Sequence, residues 1–187
     1  IVNTRGNAVW KAAPDGEVVA EWTGTSPFEY HGDPVELRHR ARASPEYKHY
    51  NSIGFCGDRI YVVAHNGAGA DRSLRSFVVV LNDALEEIGR VEDVGTSAHD
   101  LLFFGTDLYV CSSGEGILLK NFEPVLRSDR YLRGIDRVGS ILFIGGTPRE
   151  PDPLKRPAAN SQLFFVDAAN HRILHVATLG RVGNVHE

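Results

Sequence analysis

The sequence predicts an all-β protein, a β-propeller of four-stranded antiparallel blades. A phrase of two short apolar strands joined by a glycine turn occurs three times, with turn glycines Gly57, Gly105 and Gly139. Each copy is followed by a second pair of short apolar strands, so the unit has four strands and about 40 residues. Such units are typical of propeller blades, which pack radially around a central channel.

The repeat predicts a single domain over residues 1–187 with about three and a half blades, the count of an incomplete ring. An outer half-blade covers residues 7–23, and complete blades cover residues 51–92, 99–127 and 133–178. Many strand positions are apolar in succession, which favours sheets covered on both faces. A β-sandwich has similar strand spacing and is the alternative fold, but it does not predict the same phrase in every unit.

Two long loops interrupt the repeat. In the first, Asp33, Pro34 and Glu36 form a helix-start pattern, which predicts one short helix ending near Arg42. The second loop, residues 145–160, is rich in proline and charge and is therefore expected to contain no strand.

Some phrases resemble a known group of propellers. The segment Asp167-Ala168-Ala169-Asn170-His171-Arg172-Ile173 is similar to the outer hairpin of NHL-type repeats, and the Gly57–Val62 and Gly105–Val110 phrases resemble inner hairpins of the same broad superfamily. This superfamily includes the gluconolactonase-like and strictosidine-synthase-like propellers. The resemblance implies the fold and leaves the activity open.

Composition narrows the function classes. The 187-residue chain carries a net charge of −4, which argues against nucleic-acid binding, and it has no apolar run of membrane-spanning length. It contains no methionine, so we expect a processed or partial chain. The blade count leaves two alternatives, a fragment of a larger propeller or a ring closed by self-association with a second copy. Cys56 and Cys111 are expected to be reduced and structural.

Candidate site residues lie in the loops that lead into or out of the inner strands. The residues six positions before the turn glycines are Asn51, His99 and Arg133, which would rim one end of the channel. Binding groups commonly collect on loops held by a rigid scaffold. His171 and His175 lie instead in an outer hairpin and are expected at the surface.

The convergence of these loops predicts a site with three kinds of residue. The expected metal ligands are His49, His99 and His186, and the expected catalytic residues are His65, Asp100 and Arg133. The expected ligand-binding residues are Asn51, Asn66, Ser112 and Arg149. Imidazole and carboxylate ligands favour a divalent metal such as Zn, Fe or Mn over Ca. The competing interpretation is that each histidine bonds to backbone at a blade corner and that Arg133 pairs with an acid.

Three function classes follow. The first is an enzyme acting on a small anionic or sugar-like molecule, such as a metal-assisted lyase or hydrolase. The second is a non-catalytic propeller that binds a protein or glycan partner through the aromatic residues Phe28, Tyr30, Tyr47 and Tyr50. The third is a fragment with no activity of its own.

Overall fold

A computed structural model describes residues 1–4, 7–24, 48–66, 74–149, 158 and 160–181. In these residues the chain forms antiparallel strands in four sheets, and hydrogen-bonded neighbours within each sheet follow chain order. The first sheet contains β1 Val2–Asn3, β2 Ala8–Ala12 and β3 Val18–Trp22. The second contains β4 Tyr50–Cys56, β5 Arg59–Ala64, β6 Phe77–Leu81 and β7 Glu87–Val91.

The third and fourth sheets repeat the four-stranded pattern. The third contains β8 Ala98–Phe104, β9 Asp107–Ser112, β10 Ile117–Lys120 and β11 Glu123–Arg127. The fourth contains β12 Tyr131–Val138, β13 Ile141–Thr147, β14 Asn160–Asp167 and β15 Ile173–Arg181. By contacts the chain divides into two compact units, Ile1–Ala98 and His99–Glu187.

The predicted turn glycines lie where the first two strands of each complete sheet meet. Gly57, Gly105 and Gly139 have φ angles of 61°, 59° and 60°, in the left-handed region that disfavours other residues. The three turns therefore need glycine for a backbone reason. This finding confirms the repeated strand–glycine–strand phrase.

The core of the first unit lies between its two sheets. Trp22 of the first sheet packs on Tyr50 of the second, with ring centroids 5.0 Å apart. Val62, Val79 and Leu81 are fully buried in the same cluster. At the edge of this core Lys11 pairs with Asp83 at 2.8 Å, although both side chains are largely exposed and the pair contributes little.

The core of the second unit is formed by facing sides of the third and fourth sheets. Tyr109, Cys111 and Leu118 come from the third sheet, and Leu142 and Ile144 come from the fourth; each is buried. Alternate residues of β13 face away from this core, which is why Phe143 is only half-buried and packs on Phe165. Cys56 and Cys111 are both free thiols, as expected.

The N-terminal sheet differs from the predicted half-blade. Val2 and Asn3 form a third strand that pairs with Val9 and Ala8, outside the predicted range of residues 7–23. A strand of only two residues carries too little apolar pattern to be seen in the sequence. The predicted helix up to Arg42 lies outside the described residues, and the single-domain boundaries stay a prediction. Among the described residues, no helix is long and apolar enough to span a membrane.

We predict that Leu142→Ala destabilises the protein by about 2–5 kcal/mol, because it removes a buried side chain and leaves a cavity between two sheets. Val138→Ala, at a position that is 67% exposed in the neighbouring strand, should change stability by less than about 0.5 kcal/mol. Urea denaturation measures both. Equal effects of the two substitutions would contradict the assignment of this core.

Candidate functional site

In the first unit, two predicted site residues lie side by side. The imidazole rings of His49 and His65 have centroids 5.1 Å apart and planes tilted by 52°. His49 precedes β4, His65 follows β5, and both side chains are half-buried. The pair is connected through the backbone as well, since the His65 N–H donates to the His49 carbonyl at 3.2 Å.

Buried side chains fix the backbone of this pair. The Asn7 Oδ1 atom accepts from the N–H groups of Lys48 and His49, at 2.9 and 3.2 Å. On the other side, the buried Ser76 hydroxyl donates to the His65 carbonyl at 2.8 Å and accepts from the Ala98 N–H at 2.9 Å. Both histidines are therefore held by hydrogen bonds that cross between separate parts of the chain.

The predicted ligand-binding amides of this unit also bond to backbone. The Asn51 Nδ2 atom donates to the Ala98 carbonyl at 3.0 Å, and the Asn66 Nδ2 atom donates to the Arg75 carbonyl at 2.8 Å. Asn51 Oδ1 is buried and has no hydrogen-bond partner in the described part of the chain. Asn51 therefore holds the entry to β8 while keeping one acceptor available.

In the second unit, three side chains form a continuous row. His99 is 4% exposed, and its Nδ1 atom lies 3.4 Å from the Tyr131 hydroxyl. The Arg133 guanidinium in turn lies 5.7 Å from the centre of the Tyr131 ring. His99 is in β8 and the other two are in β12, so the first strands of two successive sheets supply the row.

Next to this row, the Asp100 side chain binds a backbone N–H group of β12. One of its carboxylate oxygens accepts from the Gly134 N–H at 2.5 Å, and Asp100 itself has a φ angle of 52°. Gly134 also has a positive φ of 69° and lies at a register shift in β12. Asp100 therefore joins β8 to the irregular start of β12, and its catalytic role stays a prediction.

The predicted residue Ser112, at the end of β9, and its neighbour Ser113, in the loop between β9 and β10, are both buried. The buried Ser112 hydroxyl donates to the Glu115 carboxylate at 3.0 Å, and the Ser113 hydroxyl donates to the Leu132 carbonyl. Arg149 reaches this loop from beyond β13, with a guanidinium nitrogen 2.8 Å from where a Cβ on Gly116 would stand. Because Gly116 has no side chain, the Arg149 guanidinium can lie against it. Arg149 is an exposed residue and has no acidic partner among the described residues.

The predicted set of three metal ligands extends beyond the described residues. His186 lies outside the described residues, and His49 and His99 belong to different units. Within the described residues, no three His, Cys, Asp or Glu side chains are grouped closely enough to hold a metal ion. The set of His49, His99 and His186 therefore stays a prediction.

Sequence reasoning missed two residues of these sites, Tyr131 and Asn7. Tyr131 lies as far before the turn glycine Gly139 as His49 lies before Gly57, so a complete alignment of the repeats could have found it. Asn7 carried no such signal. Its role depends on a positive φ of 55° and on a contact about forty residues along the chain, neither of which a local pattern reports.

Tyr50, one of the four aromatic residues expected on a binding surface, is only 2% exposed. Burial raises its pKa to about 12. Its ring belongs to the core of the first unit, so the expectation that it is exposed is wrong. Phe28, Tyr30 and Tyr47 lie outside the described residues.

A cluster of titratable side chains lies near the β8–β9 and β14–β15 turns of the second unit. The His171 Nε2 atom lies 3.4 Å from the Tyr109 hydroxyl, and Lys120, near the same ring, pairs with Asp107 at 2.8 Å. Burial, and then the positive charge of Lys120, lower the pKa of His171. His175 is exposed as expected, whereas His171 is half-buried between sheets.

The comparisons with known proteins support the fold. No protein-family model and no curated protein matches the chain. Among solved structures, "Drosophila Semaphorin 1a, extracellular domains 1-2" is similar, with a TM-score of 0.51 and 14% identity over 87% of this chain. This chain spans 34% of that protein's length. The likeness confirms the β-propeller fold class, while the narrower resemblance to NHL-type propellers stays a prediction.

We predict that Asp100→Ala lowers the free energy of unfolding by about 1.5–3 kcal/mol, because a hydrogen bond from Gly134 to a charged acceptor is lost. Asp129→Ala is the control: its side chain is 89% exposed and faces Arg130 at 3.6 Å, a pair worth less than about 1 kcal/mol. Denaturant titration measures both variants. An Asp100 variant as stable as wild type would contradict the backbone role.

We also predict that stability falls as the pH drops below the ordinary histidine value of about 6.5. Because the pKa of His171 is lowered in the folded protein, the unfolded chain binds this proton at a higher pH than the folded protein does. Proton binding then stabilises the unfolded chain relative to the folded state. His171→Asn should remove this part of the pH dependence, and His175→Asn should leave it in place. Denaturation midpoints between pH 5 and 8 test this; equal profiles for wild type and His171→Asn would refute it.

Proposed function

We propose that this propeller binds a small anionic molecule in the second unit, near the start of β12 and the β9–β10 loop. The observation that carries the proposal is the row His99–Tyr131–Arg133, in which a half-buried guanidinium lies beside a phenol and a buried imidazole. A guanidinium offers several fixed N–H donors that match carboxylate and phosphate groups. The Tyr131 phenol and the His99 imidazole add further hydrogen-bonding groups for the rest of the molecule.

Arg149 supports the same ligand class. It reaches the β9–β10 loop from the β13–β14 connection and has no acidic partner among the described residues, so its charge is available to an anion. The backbone carbonyls of Ser128 and Arg130 border the same Gly116 position, so the Arg149 guanidinium lies beside the turn that leads into β12. A guanidinium near the start of β12 would stabilise a carboxylate- or phosphate-bearing ligand.

The residues argue for binding more than for acid–base catalysis by Asp100. One Asp100 oxygen accepts from the Gly134 N–H, and the Ser112 and Ser113 hydroxyls donate to Glu115 and Leu132, so the contacts observed for these side chains are structural. The lyase or hydrolase interpretation would require chemistry from His99, from His65 of the first unit, or from residues outside the described ranges. We therefore propose ligand binding as the function of this site.

The alternative of a protein or glycan partner has less support. Tyr50 is in the core, which removes one of the four aromatic residues expected to contact such a partner. The Semaphorin 1a structure shares the fold at 14% identity, a level at which no binding partner can be transferred. The charged row at the start of β12 favours a small anion instead.

We predict that Arg133→Gln weakens binding of inorganic phosphate or citrate by about 10- to 100-fold, the range for losing a charge-assisted hydrogen bond of about 1.5–3 kcal/mol. Arg137→Gln is the matched control, since it removes the same charge from a side chain that stacks on Phe104 instead. Isothermal titration calorimetry and the anion-dependent rise in melting temperature measure the effect.

Retention of anion binding by the Arg137 variant, with loss in the Arg133 variant, is the expected result. Equal weakening in both variants would show that only net charge matters and would overturn the proposed site. A wild-type protein that binds neither anion would overturn it as well.

A further inference from the structure

We propose that His49 and His65 in the first unit form a two-imidazole site for a divalent transition metal, with Zn²⁺ as the representative ion. The sequence suggested His49 as a ligand together with His99 and His186, and His65 as an acid or base. The structure instead brings His49 and His65 together, with ring centroids 5.1 Å apart. Neutral imidazole is a preferred ligand of zinc, nickel and copper.

The spacing of the two rings fits shared coordination. A zinc–nitrogen bond of about 2.0–2.1 Å places the centre of an imidazole ring about 3.2 Å from the metal. Two such rings at a tetrahedral angle would have centroids about 5.2 Å apart. The observed 5.1 Å agrees with this value, and the 52° tilt between the planes excludes a parallel stack.

The pair is also preorganised by the backbone. Asn7 holds the N–H of His49, Ser76 holds the carbonyl of His65, and a hydrogen bond joins the two histidines directly. The left-handed φ of His49, 53°, is maintained by these contacts. A site whose ligands are already in position loses little conformational entropy when the metal binds.

The remaining coordination positions would be open. No third His, Cys, Asp or Glu joins the pair in a metal-binding group within the described ranges, so water or a bound molecule would complete the shell. Metal ions with three or fewer protein ligands keep positions at which water can be activated.

This site is independent of the anion site proposed above, because its two ligands belong to the first unit and the Arg133 row belongs to the second. The two proposals can therefore fail separately. Loss of metal binding in a histidine variant that still binds phosphate would separate them.

The test is titration of the metal-free chain with ZnCl₂ by isothermal titration calorimetry at pH 7.5. We expect one site, and we expect His49→Gln and His65→Gln each to weaken it by at least about tenfold, since even the loss of an outer-shell partner weakens metal binding by 10- to 100-fold. His175→Gln, which removes an exposed imidazole from the second unit, should bind as wild type does. Mg²⁺ should not bind, because it prefers oxygen ligands.

Two further measurements keep the result interpretable. Denaturation midpoints must show that the His49 and His65 variants remain folded, and the d–d absorption of Co²⁺ in the wild-type site reports imidazole coordination independently of affinity. A zinc affinity unchanged in both variants, or weakened equally by His175→Gln, would overturn the proposal. Absence of any zinc binding by the folded wild-type protein would do the same.

Discussion

The chain that enters each inner strand is held by a polar side chain from another part of the same unit. Asn7 binds the N–H groups before β4, Ser76 binds the N–H that starts β8, and Asp100 binds the N–H of Gly134 in β12. The backbone is irregular at these points: His49 and Gly134 have positive φ angles, Gly134 lies at a register shift, and Ala98 follows Ser97, whose φ is 50°. A buried N–H without a partner costs free energy, so these side chains make the irregular strand starts stable.

The candidate sites depend on this constraint. His49 and His65 lie next to the groups that Asn7 and Ser76 hold, and Arg133 precedes the glycine that Asp100 holds. Binding residues on a loop need such support because unrestrained side chains lose entropy when a ligand orders them. Asp100, which the sequence suggests for catalysis, holds the backbone of Gly134, and the binding roles proposed above belong to residues beside such positioning groups.

The fold could be predicted from the sequence because its causes are local. Gly57, Gly105 and Gly139 mark tight turns that need a positive φ, and the flanking apolar runs mark strands covered on both faces. The same reasoning missed β1, since two residues carry no pattern, and it placed Tyr50 on the surface. Tyr50 follows a polar loop in the sequence, and only the packing of Trp22 from another sheet shows why its ring is buried.

The sites were predicted less completely because they depend on contacts between distant residues. The offset from each turn glycine correctly selected the starts of the inner strands, but it could not tell that Asp100 bonds to Gly134. Residue-resolved amide hydrogen exchange of the wild-type protein is the most direct test of the central claim. The account predicts slow exchange at His49, Ala98 and Gly134, close to that of the buried strand residue Val62. Exchange at these three amides as fast as at the exposed turn residue Thr106 would contradict it.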